Sequence, residues 1–113
     1  MTDTTSGKYH AKERLTIAEV PGLRVRQIAL GENQFVPWHY HNNVSDTFFC
    51  MQGPMQIHTR EPNEIHILHP GETYSVAPLV HHFVNGLADQ PCRFITIQGV
   101  GVYDYIAVDA PVD

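Results

Sequence analysis

The feature of this sequence that most restricts its fold is a series of nine short runs rich in Val, Ile, Phe, Thr and Tyr. None of them keeps the 3.6-residue period of an amphipathic helix. The runs are LRVRQIAL, QFVPWHYH, DTFFCMQ, PMQIHTR, EIHILH, TYSVAP, HHFVN, CRFITIQ and VYDYIAV. Gly, Pro, Asn and Asp dominate the segments between them, because these residues adopt the backbone angles that tight turns need. Strands at this spacing in a chain of 113 residues predict an all-β sandwich or barrel.

The segment before the first of these runs has a different character. Residues 1–20 are polar, and we predict that they form an arm, whereas residues 21–113 form the barrel. The LTIAEV stretch inside the arm has strand propensity and is expected to add to the sheet of a partner chain, because exposed sheet edges are normally covered. A two-fold homodimer is the expected assembly, since it is the commonest closed symmetry.

Charge and hydropathy exclude several classes of partner. The formal charge is −5 and only seven Lys and Arg residues are present, which argues against a nucleic-acid partner. No apolar run reaches the ~20 residues that span a bilayer, so no membrane partner is expected. The N-terminus lacks the apolar core of a signal peptide, and we predict a cytoplasmic protein. Cys50 and Cys92 each lie in an apolar stretch and are expected to be buried free thiols.

A spaced group of histidine, aspartate and glycine lies in VPWHYHNNVSDTFFCMQG, residues 36–53. His39 and His41 project from the same face of a strand, because side chains alternate between faces. A turn at NNVS then brings Asp46 to the start of the next strand, beside the histidines. The full spacing, including Gly53, is expected by chance with a probability of only about 0.004. Imidazole and carboxylate together suit Fe, Mn, Ni, Cu or Zn better than Ca or Mg.

This spacing resembles the first motif of the cupin family, G-x(5)-H-x-H-x(3,4)-E-x(6)-G. His39, His41, Asp46 and Gly53 match it, with Asp in place of the usual Glu. Because Asp is one methylene shorter than Glu, the carboxylate is either a direct metal ligand or an acceptor that orients one of the histidines. Direct ligation is the interpretation we favour.

The second cupin motif, G-x(5)-P-x-G-x(2)-H-x(3)-N, is similar to residues 71–86. Three family positions differ and are occupied by Ala77, Leu79 and Gly86.

These departures leave two candidates for the third histidine. Counting forward from Gly71 without a gap selects His82, whereas counting back from Asn85 selects His81. Adjacent strand residues face opposite sides, so only one of them can bind the same ion. The ungapped count favours His82.

The resemblance implies a double-stranded β-helix, the cupin or jelly-roll barrel. It also implies one divalent transition metal ion per chain (Fe, Mn, Ni, Zn or Cu), held by His39, His41, Asp46 and His82. A small molecule would bind at the barrel mouth. The implied function is that of a metal-dependent dioxygenase, isomerase or lyase, or else that of a non-catalytic module for a small molecule or metal. We favour the enzyme, because such an ion keeps an open coordination position.

Other side chains are candidates for the wall of the pocket. Phe48 and Cys50 share the parity of the aspartate and are expected to point into the barrel. Gln98 ends its strand, and its side chain either enters the cavity or stays at the strand end. Arg24 and Arg26 share a face; an inward arginine could hold a carboxylate substrate, but an exposed strand face is favoured.

Overall fold

Alternating apolar positions and Gly- or Pro-containing turns place the strands where the sequence predicts them. In the computed structural model, which describes residues 4–5 and 9–111, each of the nine runs contains a strand. Their bounds are β4 (Leu23–Leu30), β5 (Phe35–Tyr40), β6 (Ser45–Gln52), β7 (Met55–Thr59), β8 (Glu64–Leu68), β9 (Thr73–Val76), β10 (His82–Gly86), β11 (Cys92–Gly99) and β12 (Ile106–Ala107). Three strands precede these, namely β1 (Thr4–Thr5), β2 (His10–Ala11) and β3 (Glu13–Val20). The described residues contain no helix that is long and apolar enough to cross a bilayer.

The strands build two antiparallel sheets of five strands each. The first sheet has the order β3-β4-β11-β6-β9, the second has the order β12-β5-β10-β7-β8, and β1 pairs with β2 separately. Both sheets contribute to one buried cluster, with Ile28, Phe48 and Phe94 from the first sheet and Ile57 and Val84 from the second. The inward positions alternate with outward ones, as the pleat requires. This confirms the prediction of an all-β, double-stranded β-helix barrel.

The structure corrects the predicted arm. β3 pairs along its length with β4 of the same chain, so the LTIAEV stretch is the edge strand of the first sheet. A Pro21-Gly22 turn joins the two strands, and the φ of +85° at Gly22 is one that glycine adopts without steric cost. The homodimer stays a prediction, with the free edge of β3 as the place where a partner strand would pair. The predictions for residues 1–3, 6–8 and 112–113 lie outside the described residues.

The glycine and the cysteine of the β6–β7 hairpin have packing roles. A Cβ at Gly53 would lie 2.7 Å from the Met55 backbone nitrogen and 3.0 Å from Cys50 Sγ, so only glycine fits without displacement. Cys50 and Cys92 are both buried and free, as predicted. Burial raises the pKa of the Cys92 thiol to about 12, which keeps it protonated and unreactive.

The central position of Ile57 gives a test of this core. Ile57 on β7 is fully buried, whereas Ile65 on the neighbouring β8 is 60% exposed. We expect Ile57→Ala to lower the free energy of unfolding by about 2–5 kcal/mol, because it removes contacts and leaves a cavity. The matched Ile65→Ala should change it by no more than about 0.5 kcal/mol. Urea unfolding measures both, and equal losses would contradict the assignment of the core.

Candidate metal centre

Three histidines and one aspartate meet between the two sheets. His39 lies on β5, His41 directly follows this strand, and His82 opens β10 opposite His39. Asp46 comes from the facing sheet, as the second residue of β6. The potential ligand atoms of the four residues lie within 4.8 Å of one another, and each residue is at most 2% exposed. The structure therefore assembles the whole set that the sequence selected.

The structure places His82, and not His81, in this group. His81 lies on the other side of the chain, where its ring stacks on Tyr40 with 4.8 Å between centroids and 7° between planes. Tyr40 faces away from the group, as strand alternation predicts. The third histidine of the group is therefore His82, the residue that the ungapped count of the second motif selects.

Backbone carbonyl groups fix the orientation of all three imidazole rings. The Nδ1 atom of His39 lies 2.7 Å from the carbonyl oxygen of Pro37, and that of His82 lies 2.9 Å from the carbonyl oxygen of Val80. The Nδ1 atom of His41 lies 2.5 Å from the carbonyl oxygen of residue 104. Because a carbonyl oxygen only accepts hydrogen bonds, each Nδ1 carries the proton and donates it. Metal-binding histidines in proteins commonly have this arrangement.

This tautomer leaves the Nε2 lone pairs facing the aspartate. Asp46 Oδ2 lies 3.2 Å from His41 Nε2 and 3.1 Å from His82 Nε2. Two acceptors at this distance repel each other unless a proton or a metal ion lies between them. Asp46 Oδ1 is also buried and has no hydrogen-bond partner among the described residues. A buried carboxylate oxygen without a partner is costly, and a bound cation would remove that cost.

The pKa values of the group show the same competition between proton and cation. Burial lowers the pKa of His39 to about 3, and the charge of His82 adds to this effect. Burial also opposes protonation of His41, but the hydrogen bond and charge of Asp46 outweigh it and raise the His41 pKa. For Asp46, burial is outweighed by the hydrogen bonds and charges of His41 and His82, which hold its pKa well below the usual range. Asp46 is thus an anion and His39 a neutral ligand at ordinary pH.

The dimensions of the group fit a transition-metal ion. Ligand bonds of roughly 2.0–2.2 Å allow two ligand atoms to lie at most ~4.4 Å apart across one ion. The spread of 4.8 Å is slightly larger, and small side-chain rotations would close it. Imidazole nitrogen and carboxylate oxygen are suitable donors for Fe, Mn, Ni, Zn or Cu. The described residues therefore fit one such ion, with Asp46 placed for direct contact.

A cavity of about 190 Å³ opens beside the group. A cavity of this size suits a small molecule. Its wall includes His39 and Asp46 from the group itself. The other described residues of the wall are Tyr9, Arg24, Arg26, Ile28, Val36, Phe48, Phe94, Thr96, Gln98, Tyr103 and Tyr105.

Two of the three predicted pocket residues lie in this wall. Phe48 is buried next to the metal group, and Gln98 is directly opposite Asp46 on the neighbouring strand, so its side chain enters the cavity. Cys50 is not part of the wall. It lies one strand repeat further along β6, opposite Phe94, in the apolar core below the cavity.

The exposed face predicted for Arg24 and Arg26 is wrong. Both arginines line the cavity, because they pair across β11 with Gln98 and Thr96, whose side chains are buried. Residues directly opposite each other on neighbouring strands share a face of the sheet. The arginines consequently lie on the inner face of the first sheet.

The C-terminal run carries residues that the sequence did not single out. Tyr105 stacks on His39, with 4.4 Å between the ring centroids, and Tyr103 lies under the guanidinium of Arg24 at 3.7 Å. The carbonyl group of Asp104, between them, accepts the hydrogen bond from His41. Alternation in VYDYIAV places the two tyrosines on one face and is the signal that could have indicated this role.

No protein-family model matches the sequence, and no curated protein is similar to it at the level of sequence. Solved structures are similar to its fold. A cupin-like protein from Thermotoga maritima has a TM-score of 0.76 and 16% identity, over 94% of this chain and 84% of that chain. An uncharacterized protein with a double-stranded β-helix domain from Klebsiella pneumoniae has a TM-score of 0.73 and 18% identity, over 94% and 90% of the two chains. A recombinant oxalate oxidase in complex with glycolate has a TM-score of 0.65 and 13% identity, over 76% of this chain and 46% of that chain. The chain has the cupin fold, as the two motifs imply.

The adjacent histidines provide a matched pair for testing the ligand set. We expect His82→Ala to lower the affinity for Zn(II) by more than the ~10–100-fold that loss of an orienting partner causes, because it removes a ligand. His81→Ala should leave the affinity nearly unchanged. A competition titration against a chelating dye compares the two variants. If His81→Ala proved the more damaging, the ligand assignment would be incorrect.

Metal affinity is also expected to weaken as the pH falls. The pKa of His41 is raised, so a proton competes with the metal ion for this imidazole. Asp46 stays ionised, because its pKa is lowered. Below the His41 pKa, one competing proton weakens the apparent affinity by up to about tenfold per pH unit. Zn(II) titrations from about pH 8 down to about pH 5.5, corrected for protonation of the competing dye, measure this slope. A constant affinity over the range would show that His41 is not a ligand.

Proposed function

We propose that this protein is a metal-dependent enzyme that acts on a small molecule bound between its two sheets. The observation that supports this most directly is the position of His39 and Asp46, which belong both to the metal group and to the wall of the cavity. A molecule in the cavity would therefore be in direct reach of the ion. One divalent ion per chain, Fe, Mn, Ni, Zn or Cu, would supply Lewis acidity and, if redox-active, a route for electrons to dioxygen.

The charge of the ligand set favours a substrate with an anionic oxygen donor. Three neutral imidazoles and the carboxylate of Asp46 leave a divalent ion with a net charge of about +1. An enolate, a phenolate or a carboxylate would neutralise this charge in an enclosed site, where the attraction is stronger than in water.

Among the possible reaction classes, oxidation with dioxygen is the best supported. The described residues of the cavity wall include no carboxylate or imidazole apart from Asp46 and His39, so a separate general base is not available there. Burial raises the pKa of both Tyr103 and Tyr105, so they stay protonated and are unsuited to act as a base at neutral pH. Isomerisation and lyase chemistry usually need a base for a carbon-bound proton, and they are the less favoured alternatives.

The same lack of a separate base supports a second candidate, a binding module that holds a small molecule or metal without turnover. The two candidates make different demands on Asp46. In an enzyme the carboxylate tunes the acidity and redox potential of the ion, so its loss affects rate. In a binding module its loss affects affinity alone.

The test compares wild type, Asp46→Asn and the control His81→Ala, each loaded with Fe(II), Mn(II) or Ni(II). Oxygen uptake and product formation are followed with diketones, catechols and small hydroxy acids. We expect wild type and His81→Ala to turn over at least one compound in one metal form. Asp46→Asn should retain the metal, bind anions more tightly and turn over at least about tenfold more slowly. Binding without turnover in every metal form would identify the protein as a binding module.

A cytoplasmic location and a homodimer belong to the same proposal. Two buried, reduced cysteines are in keeping with a reducing compartment. On the edge strand β3, Leu15 and Ile17 are each about half exposed, at 52% and 51%, and a second copy pairing there would cover them.

A further inference from the structure

Two arginines, Arg24 and Arg26, line the same cavity as His39 and Asp46 of the metal group. We propose that Arg24 and Arg26 form a carboxylate-binding subsite, and that the ligand of the cavity is a short organic acid. Its carboxylate would lie at the arginines, while a second oxygen donor would lie at the metal group. This inference rests on the proposed function, because it names the class of substrate for the same cavity.

The first argument is that the two charges have no acidic partner in the described part of the chain. Among residues 4–5 and 9–111, neither guanidinium forms an ion pair, although Glu19 lies opposite Arg24 on the edge strand. Arg24 Nε donates a hydrogen bond to Gln98 Oε1 at 3.2 Å. Arg26 Nε is buried and has no hydrogen-bond partner within the described ranges. Both side chains are partly buried on the wall of the cavity, and a ligand carboxylate there would compensate their charges.

The second argument is the charge of the cavity wall. Its described residues carry two positive charges on the arginines and one negative charge on Asp46. The Asp46 carboxylate contacts His41 and His82, and among the described residues it forms no ion pair with either arginine, so the wall keeps an excess of one positive charge. A divalent ion in the metal group would increase the excess of positive charge further. The cavity is thus cationic within a chain whose formal charge is −5, and this selects an anion.

The third argument is the spacing that the sheet imposes. Arg24, Gln98 and Asp46 form one row across β4, β11 and β6, and Arg26, Thr96 and Phe48 form the next row. Arg24 and Asp46 lie two strands apart in the same row. At 4.7–4.9 Å per strand spacing, their Cα atoms are about 10 Å apart. Both kinds of side chain extend toward the same small cavity, so one short molecule can reach both.

The shape of guanidinium favours a carboxylate over a phosphate here. The planar fork of arginine matches the two oxygens of a carboxylate and binds them in parallel. Phosphate sites commonly add backbone N–H groups from a helix N-terminus, and the described residues form no α-helix. A short dicarboxylate, hydroxy acid or oxo acid therefore fits the donors that the cavity presents.

Calorimetric binding of oxalate, malonate, succinate and glutarate to Zn(II)-loaded protein tests the inference, because Zn(II) allows binding without redox turnover. We expect at least one of them to bind to wild type and to bind roughly 10- to 100-fold more weakly to Arg26→Gln, with unchanged Zn content. Arg26→Lys, which keeps the charge but not the fork, should lie between the two. Arg93→Gln is the matched control, because Arg93 pairs with Glu13 at 2.6 Å outside the cavity. Arg24→Gln is the second variant and should weaken binding in the same way. It serves as the test if Arg26→Gln does not fold.

Three results would overturn the inference. These are equal binding to wild type and to both arginine variants, no binding of any of the acids, and tighter binding of inorganic phosphate than of every carboxylate. The proposed function fails separately. If the protein takes up no metal, yet one of the acids binds to it in an arginine-dependent manner, the anion site stands without the metal enzyme. If Zn(II) binds and the acids bind independently of the arginines, the metal site stands without the anion site.

Discussion

The candidate site of this molecule depends on the repulsion between imidazole lone pairs and a carboxylate, which a proton or a bound metal ion relieves. The fold holds three Nε2 atoms and the Asp46 carboxylate together in a buried space, with 3.1–3.2 Å between Oδ2 and two of the nitrogens. Each ring is fixed from behind by a backbone carbonyl group that accepts its Nδ1 proton. The carbonyl groups that orient His39 and His82 are local, whereas the one that orients His41 comes from the C-terminal segment, and the four side chains come from both sheets. The two sheets are therefore the frame of the site, and among the described residues this group is the one that could hold a metal ion.

The cavity brings the metal group and the charges of two arginines into one small space. The metal group lies where the two sheets approach each other, and the arginines lie on the inner face of the first sheet. Tyr103 and Tyr105 belong to the segment that closes this space, since one lies against Arg24 and the other against His39. A ligand that contacts both the metal group and the arginines would replace the water around their charges with direct contacts. The segment that carries Tyr103 and Tyr105 would then exclude water from these contacts.

Much of the strand order and the ligand set follows from the sequence, because both rest on local rules. Alternation alone places His39 and His41 on one face and separates His82 from His81. The edge strand β3 was harder to predict, since its outward side chains are exposed and its charged residues resemble those of a flexible arm. Only the Pro21-Gly22 turn indicated that it folds back on β4.

The arginines show where local rules end. Alternation establishes that Arg24 and Arg26 share a face, but the choice between inner and outer face depends on the pairing of β4 with β11. That pairing joins segments about 70 residues apart and has no signature in either segment alone. The role of Asp104 was hidden for a similar reason, because its backbone carbonyl group, and not its side chain, contacts His41.

The most direct measurement of the central claim is an anomalous difference map at the metal absorption edge, from crystals of protein purified without an affinity tag. The account predicts one peak per chain, roughly 2.0–2.2 Å from the Nε2 atoms of His39, His41 and His82 and from a carboxylate oxygen of Asp46. A peak at another place, ligation through Nδ1, or a water molecule with no anomalous signal between these residues in metal-supplemented crystals would contradict it.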